Sequence, residues 1–295
     1  MKYTNNYNLP DFLVEGLLED TYTKGDANAS VTELLSPPQM RYLLLKHDDE
    51  ITADVSTLIA SAQGRSFHYM IEMMAKKNYN TLSEKIIYSN YLGWKIKGQF
   101  DLVLIGECAL LDIKTCKAYK VDGGVVPKEW VHQTNIYKRI LQKEKGMTIN
   151  KIQIGAYIKD WSRHKAQSVS GYPPAEFFMM DVPVWEDDAI DALIEERVRL
   201  HQEEIPRSCT EEDIWAKPSV WAVMKRGKIK AVRLFSSLAE AEEFASTSVG
   251  LYVEHRPGKA VRCSDWCNVA PFCQQWETDP RNIPAQPTME NLFDA

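Results

Sequence analysis

Gly98-Gln99-Phe100-Asp101-Leu102-Val103-Leu104-Ile105, then Gly106-Glu107, then Cys108-Ala109-Leu110-Leu111-Asp112-Ile113-Lys114-Thr115, is the stretch that decides the fold. Residues 98–105 and 109–115 each read as a strand, and Gly106-Glu107 suits a two-residue turn with glycine at its first central position. With that loop, Ile105 pairs with Cys108, and counting outward sets Asp101 directly opposite Asp112. Lys114, two residues on, projects from the same sheet face as Asp112. Like charges facing each other across a ladder destabilise a sheet. A divalent cation between the carboxylates removes that penalty, because Mg²⁺ is held by one or two carboxylates plus phosphate oxygens and water. A lysine beside such a metal can orient a nucleophilic water or stabilise charge on a phosphate. Taken alone, the hairpin reads equally as an exposed edge whose polar face carries mixed charge.

Outward from the hairpin, Lys85-Ile86-Ile87-Tyr88 supplies a third antiparallel strand within 84–115. Before it, the apolar spacing from Asp54 to Lys77 is helical, with a break expected near Gly64. Earlier still, Val31–Leu35 is a short helical piece stopped by Pro37-Pro38, and Met40–Leu45 is another. After the Gly123-Gly124 loop, Pro127 is placed in the first turn of a helix running to about Lys143. Ile152–Ile158 is a buried strand, and a long amphipathic helix occupies 186–204. This order predicts an α/β core with helices packed on a mixed sheet. From Ile205 the character changes, with a two-stranded ribbon (Val220–Met224 and Ile229–Leu234), a helix near Ser237–Ala245 and a cysteine-rich end. The expected division is a helical segment 1–53, a core 54–204, a cysteine-rich module 205–277 and a flexible proline-rich and polar tail 278–295.

The 295 residues are 44% hydrophobic and 26% charged, ordinary for a globular protein, and no apolar run is long enough to span a bilayer. The first residues, Met1-Lys2-Tyr3-Thr4-Asn5-Asn6, lack a signal-peptide core, so a cytoplasmic location is expected. There the six cysteines are expected as reduced thiols or metal ligands rather than disulfides. A net charge of −6 gives no global attraction to nucleic acid, so any DNA contact must come from local basic patches and from metals bridging carboxylates to phosphates.

Gln133 and Tyr137 are four apart, on one face of the helix that follows the Asp112-Ile113-Lys114 strand, where they could reach the lysine or a phosphate. His68 lies near Gly64-Arg65-Ser66-Phe67, and a neutral imidazole can ligate Mn²⁺ or organise a Mg²⁺ site, with Glu72 one turn on as a candidate second partner. In order, His68, Asp101, Asp112-Ile113-Lys114 and Gln133…Tyr137 resemble the signature of RecB-type nucleases in the PD-(D/E)XK superfamily, across about residues 30–160. The resemblance implies a restriction-endonuclease-like core in which His68, Asp101, Asp112 and the carbonyl of Ile113 ligate Mg²⁺ or Mn²⁺. It further implies that Lys114 activates water and that Gln133 and Tyr137 contact substrate or support the lysine, with a minor role for Glu84. The superfamily's proline is absent here, Gln99-Phe100 preceding Asp101, and aspartate replaces the commoner glutamate before the lysine motif. In layout the chain is most similar to phage recombination and replication nucleases.

Cys263, Cys267 and Cys273 fall within eleven residues, and Cys209 is the candidate fourth thiol. Four thiolates suit a [4Fe–4S] cluster or a closed tetrahedral Zn²⁺ site. Three C-terminal cysteines resemble the iron–sulfur motif of AddB-type and CRISPR-associated RecB-like exonucleases, although those relatives place their first cysteine before the core. Buried thiols without metal remain the plain alternative, and Cys108 and Cys116 are read as structural. Lys225, Arg226, Lys228 and Lys230, with Arg233 beyond, form a dense basic patch suited to a DNA backbone or to a solvated turn. Met289-Glu290-Asn291-Leu292-Phe293 loosely resembles a sliding-clamp-binding peptide. The expected function is metal-dependent DNA exonuclease action in phage or bacterial recombination, repair or replication, with a single-strand-annealing protein, helicase or sliding clamp as partner. A structure-specific endonuclease or resolvase, and a non-catalytic DNA-binding scaffold, are the competing expectations.

Overall fold

The structure, a computed structural model, describes residues 1–19, 25–77 and 80–282, with the side chain of Glu84 left out. Residues 283–295, which carry the clamp-like Leu292-Phe293 pair, therefore lie outside the described residues, as does any role for the Glu84 carboxylate. The chain is mixed α/β and forms two compact units, residues 1–36 with 52–206 and residues 37–51 with 207–295. This differs from the sequence division, because residues 37–51 fall in the unit with the cysteines and residues 1–36 in the unit with the large sheet.

The first unit is built on a six-stranded mixed sheet of β1 (Ala29–Ser30), β2 (Thr81–Tyr91), β3 (Trp94–Leu104), β4 (Ala109–Cys116), β5 (Lys151–Ile158) and β6 (Phe177–Val182). The path runs β1-β3-β4-β5-β6, and β2 pairs with β3 along its whole length. Strands β2 and β3 are longer than their apolar cores. Leu92 and Gly93 both take positive φ between the flanking pair Tyr91–Trp94, a tight reversal that suits the glycine and strains the leucine. That turn draws the polar Lys95 and Lys97 into the ladder, and Lys97 is almost fully buried. The parallel pair β4–β5 is joined by helix α3 (Lys128–Lys145), a crossover that parallel strands require. Ile152, Ile154, Ala156 and Ile158 pack with Ile136, Ile140 and Leu141 of α3 and with Ile190, Ile194 and Val198 of helix α4 (Asp187–Gln202). Sequence periodicity did not reveal β6 or the short helix Arg163–Ser168.

Three local expectations are corrected. The hairpin loop is a 3₁₀ turn over Ile105–Glu107, and the positive φ falls on Cys108 rather than Gly106. The register nevertheless holds, with Leu102, Val103 and Leu104 opposite Leu111, Leu110 and Ala109. Helix α2 (Ile59–Ala75) runs unbroken through Gly64, where a Cβ would meet Thr115 Oγ1 at 3.4 Å, so the glycine serves close approach to the sheet. Pro127 is the N-cap of α3 rather than part of its first turn, and Gly146 closes the helix in the left-handed region.

In the second unit the expected two-stranded ribbon has a third strand. Val220–Lys225 is central between Arg233–Phe235 and Leu251–Arg256, both antiparallel to it, and helix Leu238–Ser246 packs on this sheet. Helix Pro38–Lys46 and the short helices Val261–Asp265 and Gln274–Glu277 make up much of the rest. No helix among the described residues is long and apolar enough to cross a membrane.

Candidate active site and cysteine cavity

The β3–β4 ladder ends at Leu102–Leu111, one pair short of Asp101 and Asp112. Beyond that point the Asp101 carboxylate takes the place of a strand partner, its Oδ2 accepting the Ile113 amide N–H at 2.6 Å. Its Oδ1 lies 3.2 Å from His68 Nδ1, so α2 delivers the imidazole to the point where the strands part. Glu72 instead pairs with Lys76 at 3.1 Å.

Asp112 is 2% exposed, and its Oδ2 lies 2.8 Å from Lys114 Nζ. The angle at that contact is poor, so buried Oδ2 accepts no well-directed hydrogen bond despite the short distance. Burial pushes the Asp112 carboxyl up to about 6, with the Asp101 charge adding to the rise and Lys114 and His68 opposing it. The Asp101 charge thus opposes ionisation of Asp112, and Lys114 and His68 offset it in part.

Lys114 is held from the other side by α3. Its Nζ donates to Gln133 Oε1 at 2.7 Å, and Gln133 Nε2 donates to Tyr137 Oη at 2.9 Å and to Thr32 Oγ1 at 3.4 Å. Gly98 makes room for this helix face, since a Cβ there would lie 3.3 Å from Tyr137 Cδ1 and 3.1 Å from Ile87 Cγ1. Tyr137 is buried in the core, and both ends of the Gln133 amide are occupied within the protein, so this pair positions the lysine. Thr32 was not foreseen; it sits a hundred residues away on the short helix Val31–Leu35, and nothing in its sequence context marks it.

His68, Asp101, Asp112, Lys114, Gln133 and Tyr137 thus converge, while Ile113 contributes its amide N–H and buries its side chain. Among the described residues no three His, Cys, Asp or Glu side chains are closed round one ion position. The donor set still fits a hard divalent cation, with two carboxylates and an imidazole together and a buried carboxylate oxygen whose nearest partner is an ammonium.

In the second unit Cys209, Cys263, Cys267 and Cys273 line one cavity, with Met40, Leu43 and Trp276 among its apolar walls. Burial, with neighbouring acids or thiols, pushes the Cys209 thiol up to about 12, Cys263 up to about 11, and Cys267 upward as well. Gln39 and Gln275 were also unforeseen. Gln39 Nε2 donates to Cys273 Sγ at 3.5 Å, its Oε1 accepts the Cys209 amide, and the Gln275 amide bonds both backbone groups of Cys209. Cys108, in the turn before β4, and Cys116, at the end of β4, do not line this cavity. Lys225 ends the central ribbon strand, and Arg226, Lys228 and Lys230 lie on the exposed connection that follows it, where Gly227 takes positive φ.

No family model matches the chain, and no curated protein matches it. Among solved structures, the crystal structure of SSO0001 is similar at a TM-score of 0.45 and 21% identity, covering 64% of this chain and 84% of its own. A candidate exonuclease from Eubacterium rectale is similar at a TM-score of 0.33 and 13% identity, covering 59% of this chain and 68% of its own. Neither likeness bears on the chemistry of the site.

Proposed function

We propose that the chain is a Mg²⁺- or Mn²⁺-dependent deoxyribonuclease of the PD-(D/E)XK, RecB-like type, acting as an exonuclease. The observation that carries this reading is the convergence of Asp101, Asp112, His68 and Lys114 at the point where β3 and β4 separate. His68, Asp101, Asp112 and the Ile113 carbonyl would hold the ion. A divalent ion at such a site polarises the phosphate and lowers the pKa of water. Lys114, held by Gln133, presents its ammonium where charge develops on the scissile phosphate. Asp101 keeps His68 and the β4 backbone in place, and burial of Asp112 keeps its carboxylate in a low-dielectric setting, where electrostatic interactions are stronger than in bulk water. Work in phage or bacterial DNA recombination, repair or replication in the cytoplasm, beside an annealing protein, helicase or sliding clamp, is the setting this activity suits.

The four cysteines are proposed to hold a metal centre in the second unit. The support is that all four line one cavity with apolar walls, where burial raises the Cys209, Cys263 and Cys267 thiols. A [4Fe–4S] cluster is preferred to one Zn²⁺ on the resemblance of the three C-terminal cysteines to those of RecB-like iron–sulfur exonucleases. Thiolate–metal bonds would supply folding free energy to this small unit.

The nuclease reading is tested with purified protein, Mg²⁺ or Mn²⁺, and end-labelled linear and circular DNA in single- and double-stranded form. Ladders from one labelled end, with intact circles, are expected. Cutting of circles would move the assignment to an endonuclease, and no metal-dependent cutting of any substrate would remove it.

A further inference from the structure

Past the C-terminal ends of β4 and β5, two loops run side by side in the first unit. Lys159 N donates to Cys116 O at 2.9 Å, Ala118 N to Asp160 Oδ1 at 2.7 Å, and Gly123 N to Gly171 O at 2.8 Å. Residues 117–129 and 159–172 together carry six lysines and arginines against three acids, in a chain whose net charge is −6. All three acids are engaged, Asp160 by the Ala118 amide, Asp122 by the Gly123 amide at 3.2 Å and Glu129 by Lys120 at 2.6 Å. Lys117, Lys159, Arg163 and Lys165 are exposed, and Tyr119, between Lys117 and Lys120, is 75% exposed.

We infer that this tied ridge is a nucleic-acid track leading to Lys114, with the phosphodiester backbone held by Lys117, Lys159 and Arg163 and an unstacked base on Tyr119. Lysine and arginine contacts to phosphates position a strand without reading its sequence. An exposed aromatic ring between cations is the usual platform for single-stranded bases. Lys117 lies three residues beyond Lys114, about 10 Å of extended chain, so a strand held on the ridge passes directly to the site. The ridge is distinct from the Lys225–Lys230 patch, which belongs to the other unit. The inference rests on the nucleic-acid reading of the Lys114 site and names the surface that would feed it.

The test is binding of fluorescent single- and double-stranded oligonucleotides by the full chain in EDTA, where nothing is cut, as salt is varied. The triple variant Lys117→Ala/Lys159→Ala/Arg163→Ala is expected to bind at least tenfold more weakly. Its slope of log K against log salt should be shallower by roughly two to three, since each phosphate contact contributes about 0.7–0.9. Tyr119→Ala should weaken single-strand binding by roughly tenfold and duplex binding less. If the triple variant melts early, the three single variants replace it, each losing about one contact's worth of slope. An unchanged affinity and slope, or no binding by the wild-type chain, would overturn the ridge. DNA bound through the ridge but never cut would sink the nuclease reading alone, and cutting with ridge variants of normal affinity would sink the ridge alone.

Discussion

The Asp112–Lys114 site and the cysteine cavity are both candidate metal centres, yet they are held in opposite ways. Around Asp112, charged and polar groups are linked to one another: lysine beside carboxylate, glutamine on lysine, tyrosine on glutamine, and aspartate on histidine and amide. Around the cysteines, apolar walls surround thiols, three of them raised by burial, and the polar links come from Gln39 and Gln275. On the proposed function, the first site would form from the protein alone and add a metal for chemistry, whereas the second would need a metal to complete its structure. Removing the metal should therefore stop one and unfold the other.

The sharpest way to break this contrast lies in the cysteines. Cys263→Ser/Cys267→Ser should lose the bound metal and melt the second unit, because thiolate–metal bonds supply on the order of 10 kcal/mol in small metal-dependent folds. The first unit should keep its own transition. Brown protein with about four irons is expected from anaerobic purification, whereas colourless protein with zinc would exchange the metal and keep the contrast. A metal-free protein with both units intact would end it.

Next in size is Lys114→Ala. Loss of a charge-stabilising donor should lower the cleavage rate by roughly 10²–10³-fold while both units stay folded. Gln133→Ala, which frees the lysine from α3 without removing it, should cost roughly tenfold, within the range for a misplaced catalytic group. A Gln133 variant as damaged as Lys114→Ala would show that the amide contacts the substrate itself.

The smallest effects concern stability. Asp112→Asn removes a buried carboxylate that accepts no well-directed hydrogen bond on Oδ2, so metal-free protein should melt a few degrees higher, by about 1 kcal/mol. Elsewhere, Arg139 holds the Asp191 carboxyl below its ordinary range, and the Tyr91 hydroxyl adds to this against a partial burial that raises it. A lowered carboxyl stabilises the fold above its unfolded value near pH 4, and that contribution is lost as pH falls through the folded value. Asp191→Asn should cost about 1 kcal/mol at pH 7 and nothing once the wild-type carboxyl is protonated. Acid-melting curves of the two proteins should therefore converge at low pH.

Much of the first site was legible in the sequence, because a hairpin register is an integer problem. The sum of paired positions set by Leu104 and Ala109 survives even though the turn is of another type, with Cys108 rather than Gly106 in the left-handed region. The i, i+4 spacing of Gln133 and Tyr137 likewise survives as one hydrogen-bonded face. Periodicity could not show that the ladder stops before Asp101, because side-chain capture of the Ile113 amide is a tertiary event. Strand β6 was missed because Phe177-Phe178-Met179-Met180 carries no polar alternation, which a half-buried antiparallel edge usually supplies. Thr32, Gln39 and Gln275 were invisible for a related reason, since each reaches its partner across a long separation in sequence.

The measurement that bears most directly on the first site is cleavage of end-labelled linear DNA by wild-type protein and by Asp112→Asn, each with Mn²⁺ and with EDTA. Wild-type protein should cut with Mn²⁺, stop in EDTA and recover when Mn²⁺ is restored. Asp112→Asn should stay folded, bind the DNA and fail to cut under every condition. Cutting by Asp112→Asn at the wild-type rate, or wild-type cutting that persists in EDTA, would contradict a metal-dependent active site at the parting of β3 and β4.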